Sequence, residues 1–342
     1  MILAGDVGGT KINLAICEKE GDGFRIVYEG TLASREFPSL AAAVEQFRKD
    51  ASQATRINSI EAACFGIAGP VVRQTVRTTN LPWQISAEEL AATTGIRKVR
   101  LLNDLEATAE GLATLPAESV AALQDAPEEA GSTRALIAAG TGLGEAILIC
   151  EQGIYRPVPS EGGHADFAPR NEAEIKLLEF LWQKWPHASY ERALSGPGLV
   201  NLYHFLLASG EQETSGVRAR LEAAGDPAAV ISTLGLMNVC PVCRKALEMF
   251  VGIYGAEAGN LALKARATGG LYVGGGIAPR IRAMLTEELF LEPFRDKGRM
   301  RHLMENIPVR LVLEPKTALF GAAETALRLL AEDVQSAGVS LT

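Results

Sequence analysis

The sequence predicts an α/β protein of two lobes with a cleft between them, and three observations carry that expectation. Its 342 residues exceed what one hydrophobic core usually supports. A strand, a glycine turn and a second strand open the chain, Ile2 to Val7, Gly8-Gly9-Thr10 and Ile12 to Cys17. The same unit returns as Ala135 to Ala139, Gly140-Thr141-Gly142-Leu143-Gly144 and Ala146 to Cys150, which suggests two related halves.

The remaining elements follow in order. Phe24 to Leu32 reads as a third strand, and Pro38 opens a helix with Leu40, Val44 and Phe47 at helical spacing. Ala62 to Ala68 is a strand of buried type, Val99 to Leu102 another, and Leu105 to Leu115 is helical. From Glu172 to Arg266 the pattern is largely helical, with Leu247, Phe250, Val251 and Tyr254 on one face of a long helix beginning at Pro241. A strand at Leu271 to Val273 leads into Gly274-Gly275-Gly276. The last helix is expected over 318–330, with a frayed tail after Glu332.

Charge and cysteine content narrow the class. A net charge of −8 opposes nonspecific attraction to nucleic acid or anionic membrane. Arg295, Lys297, Arg299 and Arg301 form the one notable basic cluster, and it reads as a solvated surface. Met1 to Asp6 lacks the features of a secretory signal and no apolar run is long enough to span a bilayer, so a cytoplasmic protein is expected. Five cysteines, an odd number placed mostly in apolar runs, fit reduced thiols. Cys240-Pro241-Val242-Cys243 lacks the second pair of a zinc site, and packed thiols at a helix start are favoured over a redox or metal role.

Five segments and one further acid carry chemistry. Gly5-Asp6-Val7-Gly8-Gly9-Thr10-Lys11 sets an acid at a strand end before residues whose amides can approach phosphate oxygens, and Asp6 is placed to hold Mg²⁺ through water. It is not a Walker A loop, because Thr10 stands where that pattern needs glycine; a plain hairpin turn is the rival explanation. Gly140-Thr141-Gly142 repeats the device, and Glu145 with a following strand argues against a dinucleotide fingerprint. Gly275 and Gly276 follow a strand and can admit an adenosine face, or mark only a turn. Asn103-Asp104 precedes a helix: Asp104 is either its N-cap or a general base for a hydroxyl nucleophile, and the dipeptide alone favours the cap. Ser160-Glu161-Gly162-Gly163-His164 puts a carboxylate and an imidazole on one turn suited to a small polar ligand, whereas Glu191 reads as an ordinary helix-surface acid.

Taken in order, Gly-Asp-Val-Gly-Gly-Thr (5–10), Gly-Ile-Ala-Gly-Pro-Val (66–71), Thr-Asn-Leu-Pro-Trp (79–83), Leu-Asn-Asp (102–104), Gly-Thr-Gly-Leu-Gly (140–144), Ser-Glu-Gly-Gly-His (160–164), Glu-Arg-Ala-Leu-Ser-Gly (191–196) and Gly-Gly-Gly-Ile-Ala-Pro-Arg (274–280) resemble the bacterial glucokinases of the hexokinase–actin superfamily. The resemblance implies a two-lobed ribonuclease H-like fold, with residues 1–107 and 318–342 in a small lobe and 108–317 in a large one. It implies ATP and Mg²⁺ as cofactors, glucose as substrate and a homodimer. Asn103, Asp104, Glu161, His164 and Glu191 match the family's sugar-binding positions, with Asp104 as base. Gly5 to Thr10, Gly140 to Gly142, Gly275 and Gly276 match its ATP-binding positions. Lys11 departs from the asparagine more usual in close relatives. A broader family of sugar kinases and repressors shares Gly-Gly-Thr-Lys but carries a Cys-rich zinc motif beside its sugar histidine; Ala165 to Arg170 contain no cysteine, so the zinc-free branch fits better. A kinase for another hexose or amino sugar, a sugar-binding repressor and an actin-type nucleotide-binding protein are the alternatives, and the acidic balance disfavours the repressor.

Overall fold

A computed structural model describes residues 1–338 except Asp22, Thr79, Asn80 and Glu287, with the backbone alone for 332–338. The expected 79–83 motif is therefore described only from Leu81 onward. Its contacts divide the chain into two compact units, one of 1–117, 155–159 and 314–342 and one of 118–154 and 160–313.

The first unit is built on β1 (Ile2–Val7), β2 (Lys11–Glu20), β3 (Gly23–Ala33), β4 (Ala62–Ile67), a small ribbon of β5 (Thr75–Arg77) and β6 (Gln84–Ser86), and β7 (Lys98–Asn103). Its helices are α1 (Leu40–Ala54), α2 (Ala87–Thr94) and α3 (Asp104–Gly111). Among the described residues the main sheet runs β3-β2-β1-β4-β7, with β1 antiparallel to β2 and parallel to β4, and β4 parallel to β7. Strand alternation assigns the two faces. Leu3, Val7, Ala63, Phe65 and Ile67 pack with Val44, Phe47 and Leu90 of α1 and α2, while Ile2, Ala4, Ala62 and Cys64 turn to the other face.

The second unit holds β8 (Val120–Gln124), β9 (Arg134–Ala139), β10 (Leu143–Glu151), β12 (Leu271–Gly274) and β13 (Val309–Val312). With the edge strand β11 (Ile154–Ser160), whose residues 155–159 are grouped with the first unit, they form a sheet that runs β11-β10-β9-β12-β13-β8. β10 is antiparallel to β9, and β9, β12 and β13 are parallel. Leaving aside β8 at its far edge, the second sheet repeats the strand order of the first, and β10-β9-β12-β13 repeats the directions of β2-β1-β4-β7, so the repeated hairpin in the sequence belongs to a repeated fold. The second turn is shorter than the motif suggests: Leu143 and Gly144 already pair with Ala139 and Ala138 inside the ladder.

The helices of this unit are α4 (Glu172–Trp182), α5 (Gly196–Ala208), α6 (Val217–Ala223), α7 (Pro227–Leu236), α8 (Pro241–Ala265), α9 (Arg282–Leu285), α10 (Glu288–Arg295) and α11 (Arg301–Glu305). Leu247, Phe250, Val251 and Tyr254 are buried as expected, but α8 is buried all round from Phe250 to Gly259. Its glycines and alanines there let α5, α7 and α10 close around it. No single described helix is long and apolar enough to cross a membrane; α7 and α8 pass such a test only as a pair bent by 100°. The basic cluster is not uniformly solvated: Arg295 is partly buried and donates to Gln124 Oε1 (2.6 Å), and Lys297 Nζ donates to the carbonyl of Ala256 (3.0 Å).

The chain then returns to the first unit as α12 (Thr317–Gly338), longer than the expected 318–330, so the backbone is helical as far as Gly338, beyond the Glu332 where fraying was expected, and the rest of that tail lies outside the described residues. Leu319, Ala322, Ala323 and Ala326 cover the Ile2 face of the sheet beside Ala107 of α3. A boundary after residue 107 would cut α3 in half; its packing on α12 keeps the whole helix in the first unit. α3 also lies close to β4, where a Cβ on Gly66 would stand 2.7 Å from Ala107 Cβ. We expect Gly66→Val to lower stability by roughly 1–3 kcal/mol, the usual cost of overpacking a core, measured by urea unfolding.

Candidate active site

In the first unit the C-terminal ends of parallel strands bring two acids together on one sheet margin, the common place for ligands in such sheets. Asp6 is the penultimate residue of β1, on the face that carries Ile2 and Ala4, and Asp104 begins α3 directly after β7. Asp6 pairs in register with Asn13, whose Nδ2 donates to Asp6 Oδ2 at 3.1 Å. Thr31 Oγ1 in turn donates to Asn13 Oδ1 (2.9 Å), which fixes the amide's orientation. Burial raises the Asp6 carboxyl above its ordinary value, and the Asn13 bond pulls it part of the way back. A carboxylate so placed, with a neutral amide as its hydrogen-bond donor, suits a hydrated divalent cation, which would offset the desolvation.

The helix cap is not Asp104 but the residue before it. Asn103 Oδ1 accepts from the Leu105 amide (2.8 Å), and Glu106 Oε2 accepts from the Asn103 amide (3.3 Å), completing a capping box. Asn103 Nδ2 donates to the carbonyl of Gly69 (3.0 Å), so the Gly66–Val71 motif anchors this corner. Asp104 is the first helical residue, half-buried, and its Oδ1 accepts from the Leu105 amide at 2.9 Å. Its carboxylate direction is thereby fixed.

The turns differ from the expectation in which amides they offer. Gly8 N–H donates to Lys11 O (2.9 Å) and Gly140 N–H to Gly142 O (2.8 Å), because each turn closes on its first amide. That leaves Gly9, Thr10, Thr141 and Gly142 as the amides without a protein acceptor among the described residues. The Lys11 side chain is exposed.

In the second unit three of the five sugar-site candidates, Glu161, His164 and Glu191, come together, while Asn103 and Asp104 belong to the first unit. His164 lies between two carboxylates, with Nε2 4.0 Å from Glu161 Oε2 and Nδ1 4.0 Å from Glu191 Oε1. Glu191 is not an ordinary surface acid: it sits in a short 3₁₀ helix, Tyr190–Arg192, is 24% exposed, and its Oε2 accepts from the Leu143 amide at 3.0 Å. Ser195, which caps α5, donates to the Glu191 carbonyl (2.8 Å), and the Gly196 amide donates to Gly140 O (2.8 Å). The 191–196 motif therefore ties the carboxylate to the second glycine turn. Gly275 and Gly276 are exposed beside that turn, and Ile277 N–H reaches Ala139 O (3.3 Å).

The profile of the family described as Glucokinase matches residues 3–329. The chain belongs to the glucokinase family. A glucokinase of Nostoc punctiforme is 42% identical over 343 residues, covering 96% of this chain and 99% of that one. The crystal structure of a glucokinase from an Antarctic psychrotroph is similar with a TM-score of 0.81 and 31% identity, over 96% of this chain and 98% of the other. A glucokinase of Streptomyces griseus solved with glucose and AMPPNP shares the fold with a TM-score of 0.63 and 24% identity, over 96% and 99% of the two chains.

The residues not legible in the sequence are those that hold the site rather than form it. Asn13 is readable only once the hairpin register sets it opposite Asp6. His187 stands behind His164: its Nδ1 is 3.2 Å from Asp166 Oδ1, and its Nε2 lies 2.9 Å from the His164 carbonyl. Beneath the 160–164 turn, Glu145 on β10 and Glu257 on α8 are buried with their carboxyls in contact. Two carboxylates about 4 Å apart repel by about 4 kcal/mol at an effective dielectric of 20, while holding a proton on an ordinary glutamate at pH 7 costs about 3–4 kcal/mol. Desolvation tips the balance, and burial, then the Glu257 charge, pushes Glu145 up to about 8.

Cys240 and Cys243 are buried free thiols at the start of α8, where Cys240 Sγ accepts from the Cys243 amide (3.4 Å) as the helix cap. Among the described residues no three His, Cys, Asp or Glu side chains are grouped to hold a metal ion.

Asn13→Leu removes the bond that lowers the Asp6 carboxyl and leaves burial unopposed. Its titration midpoint, followed by carbon-13 NMR of labelled aspartate, should move to higher pH than in the native chain; an unchanged midpoint would show that Asn13 does not control Asp6.

Proposed function

We propose that this chain transfers the γ-phosphoryl group of ATP to the 6-hydroxyl of glucose. The observation that carries the proposal is the hydrogen bond from Leu143 N–H to Glu191 Oε2, which locks a sugar-type cluster of two carboxylates and an imidazole to a glycine turn with unpaired amides. A polyol needs several fixed acceptors and donors, and phosphate needs backbone amides; here both occur on one rigid frame.

In the reaction, Asp104 takes the proton of the 6-hydroxyl as that oxygen bonds to the γ-phosphorus. The bond from the γ-phosphorus to the bridging oxygen breaks and ADP leaves. Asn103, Glu161, His164 and Glu191 orient the sugar, and fixed orientation is a large part of phosphoryl-transfer catalysis. The amides of Gly9, Thr10, Thr141 and Gly142 bind phosphate oxygens, and Gly275 and Gly276 border the adenosine. Asp6 with Asn13 would hold Mg²⁺ through water, which supplies charge neutralisation on the phosphates. The similar Streptomyces griseus protein, solved with glucose and AMPPNP, supports this pair of substrates. A cytoplasmic location, a homodimeric assembly and a place at the entry of glucose into glycolysis belong to the same proposal.

In a coupled assay for ADP release, Asp104→Asn should lower kcat by about 10²–10⁴-fold, the usual contribution of a general base. Glucose affinity should stay within about threefold, since the amide keeps the carboxylate's shape. Mannose, fructose and glucosamine serve as competing substrates, and a higher kcat/KM for any of them than for glucose would transfer the assignment to that sugar.

A further inference from the structure

Two carboxyl groups of the second unit lie outside the proposed chemistry and yet touch both elements that carry it. Glu145 faces the interior from β10 at 2% exposure, and Glu257 is fully buried on α8. Glu145 Oε1 and Glu257 Oε1 have no hydrogen-bond partner, apart from what a proton held between the carboxyls would supply. The dyad contacts the sugar-site turn directly: a Cβ on Gly162 would stand 2.1 Å from Glu145 Oε2, so only glycine lets the turn carrying Glu161 and His164 rest on this carboxyl. It also contacts the helix that carries Glu191. Tyr190 OH borders the Glu257 carboxylate, and Asn260 Nδ2 donates both to Glu257 Oε2 (2.8 Å) and to Tyr190 OH (3.1 Å).

We infer that Glu145 and Glu257 share one proton, and that this proton-linked pair positions the 160–164 turn and the 190–192 helix for sugar binding. The inference rests on the glucose-binding part of the proposed function. Both residues are positioning residues, since they act through Gly162 and Tyr190 rather than on a substrate.

The groups around the pair do not supply enough positive charge to replace the proton. Lys264 Nζ stands 3.8 Å from Glu257 Oε1 and is exposed, so its field is screened by water. Lys297, from the segment after α10, is committed to Ala256 O, and burial, then the charge of Arg170, disfavours its cationic form. Arg170 is paired with Glu174. Tyr190 and Tyr254 face the pair as neutral phenols, both pushed upward chiefly by burial. As pH rises the shared proton is lost, a second charge appears under Gly162, and the turn is driven off β10.

Glu145 has its folded-state value raised, to about 8 from 4.5, so the folded protein binds the extra proton across that range. The stabilisation is full below about 4.5 and is lost progressively as pH rises toward 8.

The test is calorimetric glucose affinity from pH 6.5 to 9.5 on the native chain, Glu145→Gln and Glu257→Gln. Glutamine keeps the shape and supplies an uncharged partner, so the pair can stay closed at any pH. The native Kd should weaken by about fivefold or more above pH 8, consistent with a tenfold change per 1.4 kcal/mol of lost binding, while both variants stay within about twofold of their own pH 7 value. His164 is common to all three proteins, so its titration cannot produce the difference. A variant profile that rises in parallel with the native one, or a flat native profile, overturns the inference. A native chain that binds no glucose at any pH overturns the proposed function instead. The pair is then judged by thermal unfolding: the Tm advantage of Glu145→Gln over native must grow from pH 5 to pH 8, and a constant difference ends the claim.

Discussion

Each unit is organised around one constraint: a buried strand must reverse direction within a few residues and leave its neighbours in the sheet undisturbed. The backbone meets it by closing the turn on its first amide, Gly8 to Lys11 in one unit and Gly140 to Gly142 in the other. Once that bond is made, the next amides have nowhere in the protein to donate. An unsatisfied amide is costly when dry and useful when it meets an anion. The same economy of hydrogen bonds that permits the hairpin therefore creates the phosphate-type feature, in both units and from the same strand order.

In the second unit this feature is bound to the carboxylate cluster by three contacts rather than by one. Glu191 accepts from Leu143, Ser195 holds the carbonyl of Glu191, and Gly196 donates to Gly140. The first of these has a charged acceptor, which strengthens such a bond to roughly 1.5–3 kcal/mol; the other two end on backbone carbonyls. A displacement of the 3₁₀ helix must break several of them together, so the carboxylate and the turn move as a body. In the first unit the equivalent rigidity comes from the capping box around Asn103, which orients Asp104 through a shared amide.

The repeated β-turn-β units were legible because period and glycine punctuation are local properties, and most of the expected strands lie within a residue or two of their expected bounds, whereas β5, β6, β8, β11 and β13 carried no expectation. The length of the second turn was not, because whether Leu143 and Gly144 join the ladder depends on Ala138 and Ala139 across the sheet. Glu191 shows the same limit more sharply. Its sequence neighbourhood resembles any helix surface, and only the fold brings Leu143 N–H within 3.0 Å of it. The cap was misassigned by one residue for a physical reason as well: Asn and Asp are nearly equal as caps, and the preference for Asn103 is decided by Gly69 O, a partner 34 residues away. Glu145 did carry a signal, a lone acid directly before the apolar run Ala146 to Cys150, but without Glu257 it could be read only as a broken motif.

That lone acid also bears on why the second unit keeps a polar pair in its interior at all. Hydrophobic replacements of buried charged groups are often neutral or stabilising, so burial of two glutamates is not explained by stability. What an apolar pair could not do is specify the approach of the backbone. The carboxyl of Glu145 reaches the bare Cα of Gly162, and Glu257 reaches Tyr190 and Asn260, so the polar atoms set distances to two separate turns at once. Methyl groups would fill the same volume without preferring one orientation of either turn. The pair trades stability at neutral pH for a single geometry of Glu161, His164 and Glu191, the residues whose relative placement a small polyol would sense.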